Sequence, residues 1–173
     1  MFVSFGLRYL IALILSSMFI FFPARPVGAE DLVERVVRVS HCHGGLSALS
    51  EHHPMAEART LFKGYADGLE SIGPLYVELG ELDVQISKDA GITGYREVTD
   101  IVNAKDQNAY TAFLEPCIAL LLDLPSYEIE VVTVADMLAL IGIGEPAEPR
   151  QFLLDHPDSV FAPILRKKLE ELK

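Results

Sequence analysis

Four of the chain's five histidines and one of its two cysteines lie within residues 41–53. The stretch reads Ser40-His41-Cys42-His43-Gly44-Gly45, with Ser50-Glu51-His52-His53-Pro54 just behind it. Imidazole and thiolate are ligands for zinc or copper, so His41, His43, His52 and His53 form a candidate metal site. The spacing is poor for that chemistry. Neighbours on a helix point about 100° apart, so His41, Cys42 and His43 cannot all reach one ion. A loop at Gly44-Gly45 would have to fold them together. His53 and Glu57 stand four apart, which suits ligands, but Pro54 lies between them. The competing chemistry is oxidation. Cys117 is the other cysteine, and two cysteines allow one intramolecular pairing. A sulfur bonded to sulfur is no thiolate ligand. The expectation adopted is a structural Cys42–Cys117 disulfide, with the histidines as boundary residues at a helix end. Metal binding by the four histidines is the alternative, and a pH-sensing role for them a third.

The N-terminus supplies the compartment in which such a bond forms. Met1 to Arg8 carries one positive charge, Arg8. Tyr9 to Phe22 is an uncharged apolar run of 14 residues, short against the roughly 20 that a membrane-spanning helix needs. Val27 and Ala29 supply the small residues of a cleavage site, and no cysteine follows the run directly. This is the three-part pattern of an export signal. The expected organisation is a cleaved signal at residues 1–29, a disulfide-tied helical core at 30–124, and a C-terminal helical extension at 125–173 packed on the same domain. The expected location is periplasmic or secreted, where thiols pair. Losing Arg8 and Arg25 takes the formal charge from −11 to −13. Such acidity argues against nucleic acid and anionic membranes and suits a basic partner. No stable membrane insertion is expected once the signal is gone.

The elements that must position the cluster read as helices. Leu32, Val36, Val39, Cys42, Leu46 and Leu49 recur at helical spacing, so residues 30–53 form one helix. Gly44-Gly45 either ends it or admits another backbone closely. Pro54 opens a second helix as its first residue. That helix runs through Met55, Ala58, Phe62, Tyr65, Leu69 and Ile72, and Gly73-Pro74 ends it. Residues 75–86 fit a helix or a hairpin turning at Gly80-Glu81, and helical neighbours favour the helix. Gly91 and Gly94 punctuate before a helix through Tyr95, Val98 and Val102. Asp106 caps the most apolar helix, which carries Phe113, Cys117 and Leu120 up to Pro125. Its apolarity makes it the expected central helix. Residues 127–134 (YEIEVVTV) are rich in β-branched side chains and fit an extended segment. Thr133 caps a short helix to Ile141, and Gly142–Pro149 is a linker. Phe152–Leu154 and Val160–Leu172 complete the chain, with Asp158 or Ser159 capping the last helix. The fold class is therefore all-α: an irregular bundle of five to seven helices with one disulfide.

The segment Phe152-Leu-Leu-Asp-His-Pro-Asp-Ser-Val-Phe-Ala-Pro, with Leu165 and Leu169 after it, resembles one turn of the tetratricopeptide-like arrays of envelope proteins. It occurs once, no matching period is found elsewhere, and no function is carried from it. Gly142-Ile-Gly-Glu-Pro-Ala shares letters with a dinucleotide loop but follows a helix where that loop follows a strand. Neither G-x-S-x-G, H-E-x-x-H nor a phosphate-binding Walker loop is present. The expectation is a protein that is not an enzyme and uses no cofactor. It acts through contact with another protein, as an envelope adaptor, inhibitor or immunity-type protein. A periplasmic metal-binding protein and an acid-stress chaperone are the alternatives.

Overall fold

A computed structural model describes residues 31–172, which form six α-helices and no strand. The export signal expected at residues 1–29 lies outside these residues. Helix α1 (Leu32–His52) begins where the Asp31 carboxylate accepts the Glu34 N–H at 2.7 Å, satisfying one of the unpaired amides of a helix start. It ends at His53, held extended by the following Pro54. Helix α2 (Ala56–Leu79) starts two residues after Pro54, with Met55 at the cap position, so the proline lies in the connection and is not the first helical residue. The helix also runs straight through Gly73-Pro74. Pro74 costs it the hydrogen bond to the Glu70 carbonyl. Burial of Ile72 and Tyr76 on either side offsets that loss.

Residues 75–86 are neither a hairpin nor one helix. They are the last turns of α2, a reversal at Gly80–Asp83, and the start of α3 (Val84–Ala104). Asp83 caps α3 by accepting from the Gln85 N–H at 2.8 Å. Gly91 and Gly94 lie inside α3 and interrupt nothing. Their helix penalty, about 1 kcal/mol each, is set against a close approach described below.

Helix α4 (Gln107–Gly142) is 36 residues long. Asp106 caps it as expected, accepting from Asn108 and Ala109 N–H at 3.0 Å. It passes through Pro116 and Pro125 without ending. The extended segment expected at 127–134 is corrected: those residues are helix, and Thr133 is no cap but donates back to the Ile129 carbonyl at 2.8 Å. Val131 and Val134, three apart, share the buried side, and their burial holds the helical phase against local β preference. Helix α5 (Ala147–Asp155) and helix α6 (Ala162–Glu171) follow. Phe161 occupies the α6 cap position, and Ser159 Oγ accepts its N–H at 3.3 Å.

The central helix is α1, not α4. Eleven of its 21 residues are buried. Helices α2 and α3 pack along it and barely touch each other, while α4 lies mainly against α2 and α3 and meets α1 locally at the disulfide and at Gly45. The closest packing is with α3. A methyl group on Gly44 would overlap the Gly91 carbonyl, and one on Gly94 would overlap the His41 carbonyl. Glycine at both crossings lets the two backbones meet, the second of the roles open to Gly44. Gly45 meets the Phe113 ring of α4 in the same way. Cys42 and Cys117 are bonded, with Cα atoms 5.4 Å apart, and tie α1 to α4.

Candidate functional site

The histidines of residues 41–53 go to separate neighbours. His41 Nε2 lies 2.8 Å from Glu97 Oε2, and its ring tilts against Phe113 at 5.6 Å. His52 Nε2 lies 3.0 Å from the Tyr95 hydroxyl, which donates to Glu51 at 2.6 Å. His53 Nδ1 accepts the Met55 N–H at 3.2 Å, and its ring packs by Phe62 and Tyr110. His43 lines a cavity on another side of α1. Both cysteines are in the disulfide, so neither offers a thiolate. Among the described residues no group of three or more His, Cys, Asp or Glu side chains is placed to hold a metal ion. A continuous α1 explains this: Gly44-Gly45 stays helical, so the loop that gathering His41 and His43 requires does not form.

That cavity, about 560 Å³, lies between α2 and α3 with α1 as its floor. Ser40, Gly44 and Ser47 form the floor, Gly73 and Ile92 the walls, and Glu70, Lys88 and Arg96 stand at the rim. Ser40, Gly44 and Ser47 are small, so between Val39 and His43 the floor leaves the space open.

A polar node ties α4 to the rest of the molecule. The Glu130 carboxylate accepts from Arg35 Nη1 at 3.0 Å, from Ser159 Oγ at 2.9 Å and from the Tyr76 hydroxyl at 3.4 Å. The Arg35 guanidinium also lies 4.4 Å from the centre of the Tyr127 ring. Tyr76 stacks on Phe161 at 5.3 Å. Burial pushes the Tyr76 phenol well above its ordinary range, so it stays a neutral donor. Three donors from α1, α2 and the α5–α6 connection thus converge on one acid. The node is a structural lock: every Glu130 oxygen is taken.

Among the described residues, nothing packs on the outer side of α4. Its inner seam, Phe113, Cys117, Leu120, Leu124, Tyr127, Val131, Val134, Leu138 and Ile141, steps by four and three and is buried or half-buried. A second seam runs along the opposite side with the same steps: Ile118, Leu122, Pro125, Ile129, Val132, Asp136, Ala139 and Ile143. Leu122 is 73% exposed, Ile129 68%, Val132 61% and Ile143 71%. Glu115, Asp123 and Glu128 are exposed beside it, and α4 contains no Lys or Arg. Reading the apolarity of this helix as a central position hid the outer seam; the repeat from Ile118 to Val132 was its signal in the sequence. Compared with protein-family models, with curated proteins and with solved structures, the chain matches none of them.

Proposed function

We propose that this is an exported, non-enzymatic helical protein that works by binding another protein, as an envelope adaptor, inhibitor or immunity-type protein does. The observation that carries the reading is the outer seam of α4, four large aliphatic side chains left to solvent in one line. A contiguous apolar stripe with a charged border is the usual mark of an interaction surface. Export is supported by the apolar run of residues 9–22 and by the buried disulfide. Among the described residues no helix is long and apolar enough to cross a membrane. The test is capture from envelope extract with the protein as bait, beside the double variant Leu122→Asp and Ile129→Asp. A specific partner should be retained by the first and lost by the second, with helix content unchanged by circular dichroism. Equal capture by both would remove the seam from the function.

The cavity on α1 favours a second reading, a carrier of a small amphipathic anion. Its volume, about 560 Å³, lies in the range of small-molecule sites. Lys88 and Arg96 at the rim would meet a carboxylate and the apolar walls a chain. Titration calorimetry with alkyl carboxylates of increasing length tests it. Heat that saturates, and that disappears in Ile92→Lys, would support the carrier; no heat at any length would reject it.

A further inference from the structure

We infer that the segment bound along α4 is an α-helix whose apolar seam is flanked by Lys and Arg. The inference rests on the proposal that α4 is a protein-binding surface, and it names the chemistry of the partner.

The spacing selects a helix. Steps of four and three from Leu122 to Ala139 keep the exposed residues in one stripe along α4, with Ile143 just past its end. The stripe on α4 runs about 25 Å at 1.5 Å per residue. A second helix crossing at about 20° follows a stripe of that form over its full length. An extended segment presents side chains with period two and meets it only locally.

The charge selects a basic helix. Every charged residue of α4 is an acid: Glu115, Asp123, Glu128, Glu130 and Asp136. Glu130 points inward and is neutralised by Arg35. Arg35 and Arg38 meet α4 at Tyr127, which belongs to the inner seam. The outer border therefore presents Glu115, Asp123 and Glu128. Asp136 stands in the seam itself, among apolar residues. Covering it with an apolar surface would bury a carboxylate without a partner, which is strongly unfavourable. A Lys or Arg opposite Asp136 removes that penalty.

The same charges disfavour the other occupants. A second copy of this chain laid along α4 would set acid borders against acid borders, and like charges across an interface are repulsive. An anionic lipid surface meets the same repulsion. A Lys- and Arg-flanked helix gains on both terms, apolar contact in the seam and attraction along its edges.

The experiment uses the purified protein with its disulfide and two labelled peptides of about four heptads. Both carry the same Leu seam; one is flanked by Lys and Arg, the other by Glu. Binding is read by fluorescence anisotropy at low salt and at about 0.5 M salt. The basic peptide should bind at least about tenfold more tightly, and the preference should shrink at high salt. Ile129→Asp should abolish binding. The triple variant Asp123→Asn, Glu128→Gln, Asp136→Asn should keep the fold and lose the preference. Equal affinity for the two peptides would overturn the inference. So would a concentration-dependent dimer in sedimentation that Ile129→Asp dissolves, or binding to phospholipid vesicles that the same substitution removes. Suppose the capture experiment loses its partner in the seam variant while the peptides bind alike. Protein binding by α4 then stands and the basic helix falls. If capture is unaffected by the seam variant, the proposed function itself falls.

Discussion

α1 and α4 are joined by one disulfide and differ in what they leave to solvent. α1 carries serines, histidines and two adjacent glycines, yet eleven of its 21 residues are buried. α4 is the most apolar stretch of the described chain, yet six of its 36 residues are buried. Depth follows from how closely neighbours can approach. Gly44 and Gly45 have no side chain to hold α3 and α4 away, so both close in. α4 has one seam that faces the bundle, and six helices do not supply a second surface for the other. Apolar side chains beyond what the described bundle can cover stay exposed along α4.

The largest effect that would break this comparison is removal of the tie. Replacing Cys42 and Cys117 by Ala should cost about 4 kcal/mol for a loop of this length. Urea unfolding measures it. A loss below about 1 kcal/mol would mean that the inner seam already holds α4 in the unfolded ensemble's reach. Before any such variant, thiol titration of the denatured, unreduced protein should find no free thiol.

Next comes the glycine contact. Gly44→Leu must displace the α3 backbone at Gly91, so a loss of about 3 kcal/mol or more is expected, at the upper end for overpacked sites. Gly64 of α2 is the control, because a methyl there meets nothing within 4 Å. Gly64→Ala should stabilise by up to about 1 kcal/mol. If both glycine variants behave alike in thermal unfolding, close approach is not what buries α1.

The two seams of α4 can be compared two residues apart. Leu120→Ala in the inner seam should cost about 2–3 kcal/mol. Leu122→Ala in the outer seam should stay within about 0.5 kcal/mol. Similar losses at both, measured by urea unfolding, would show that the outer seam is covered within this chain.

The smallest effect lies away from both helices. Glu81 at the α2–α3 reversal meets Lys168 at 2.6 Å and Lys167 at 3.6 Å of α6. The hydrogen bond from Lys168 and the charge of both lysines lower its pKa. A lowered carboxylate pKa stabilises the fold above the unfolded value, about 4.3. That contribution is lost as pH falls through the folded value. The pair is exposed and worth little. Glu81→Gln should lower the melting temperature slightly at neutral pH and match the parent near pH 3. A difference that persists unchanged in acid would assign it to packing, not charge.

What could be read in the sequence was local. Asp106 as a cap, Gly142 as an end, and the apolar phase of α1 depend on residues a turn away, and all are found. The disulfide followed from two cysteines, each on the apolar side of its helix. The failures share a different cause. Pro74, Pro125, Gly91 and Gly94 break helices by propensity, and here distant packing overrides propensity at each. Residues 127–134 show how. A strand would put Ile129 and Val131 on one side, but Val131 is buried and Ile129 exposed, as helical phase demands. The histidines of residues 41–53 do not gather at one point for the same reason. Along an unbroken helix His43 stands on the far side from His41, and His52, on the same side as His41, lies about 16 Å further along the axis. The outer seam of α4 was legible as a repeat, but its exposure depends on where other helices stop.

The single disulfide also sets what maturation requires. With two cysteines in the chain, no wrong intramolecular bond exists to be undone. An oxidant is enough, and the slow reshuffling that multi-disulfide proteins undergo has nothing to act on. The order of synthesis adds a delay. α1 is made first, and the thiol that will meet Cys42 arrives 75 residues later. Both cysteines are buried in the finished core, so a reductant reaches the bond only when α4 moves off α1. The cross-link is thus guarded by the packing that it ties together.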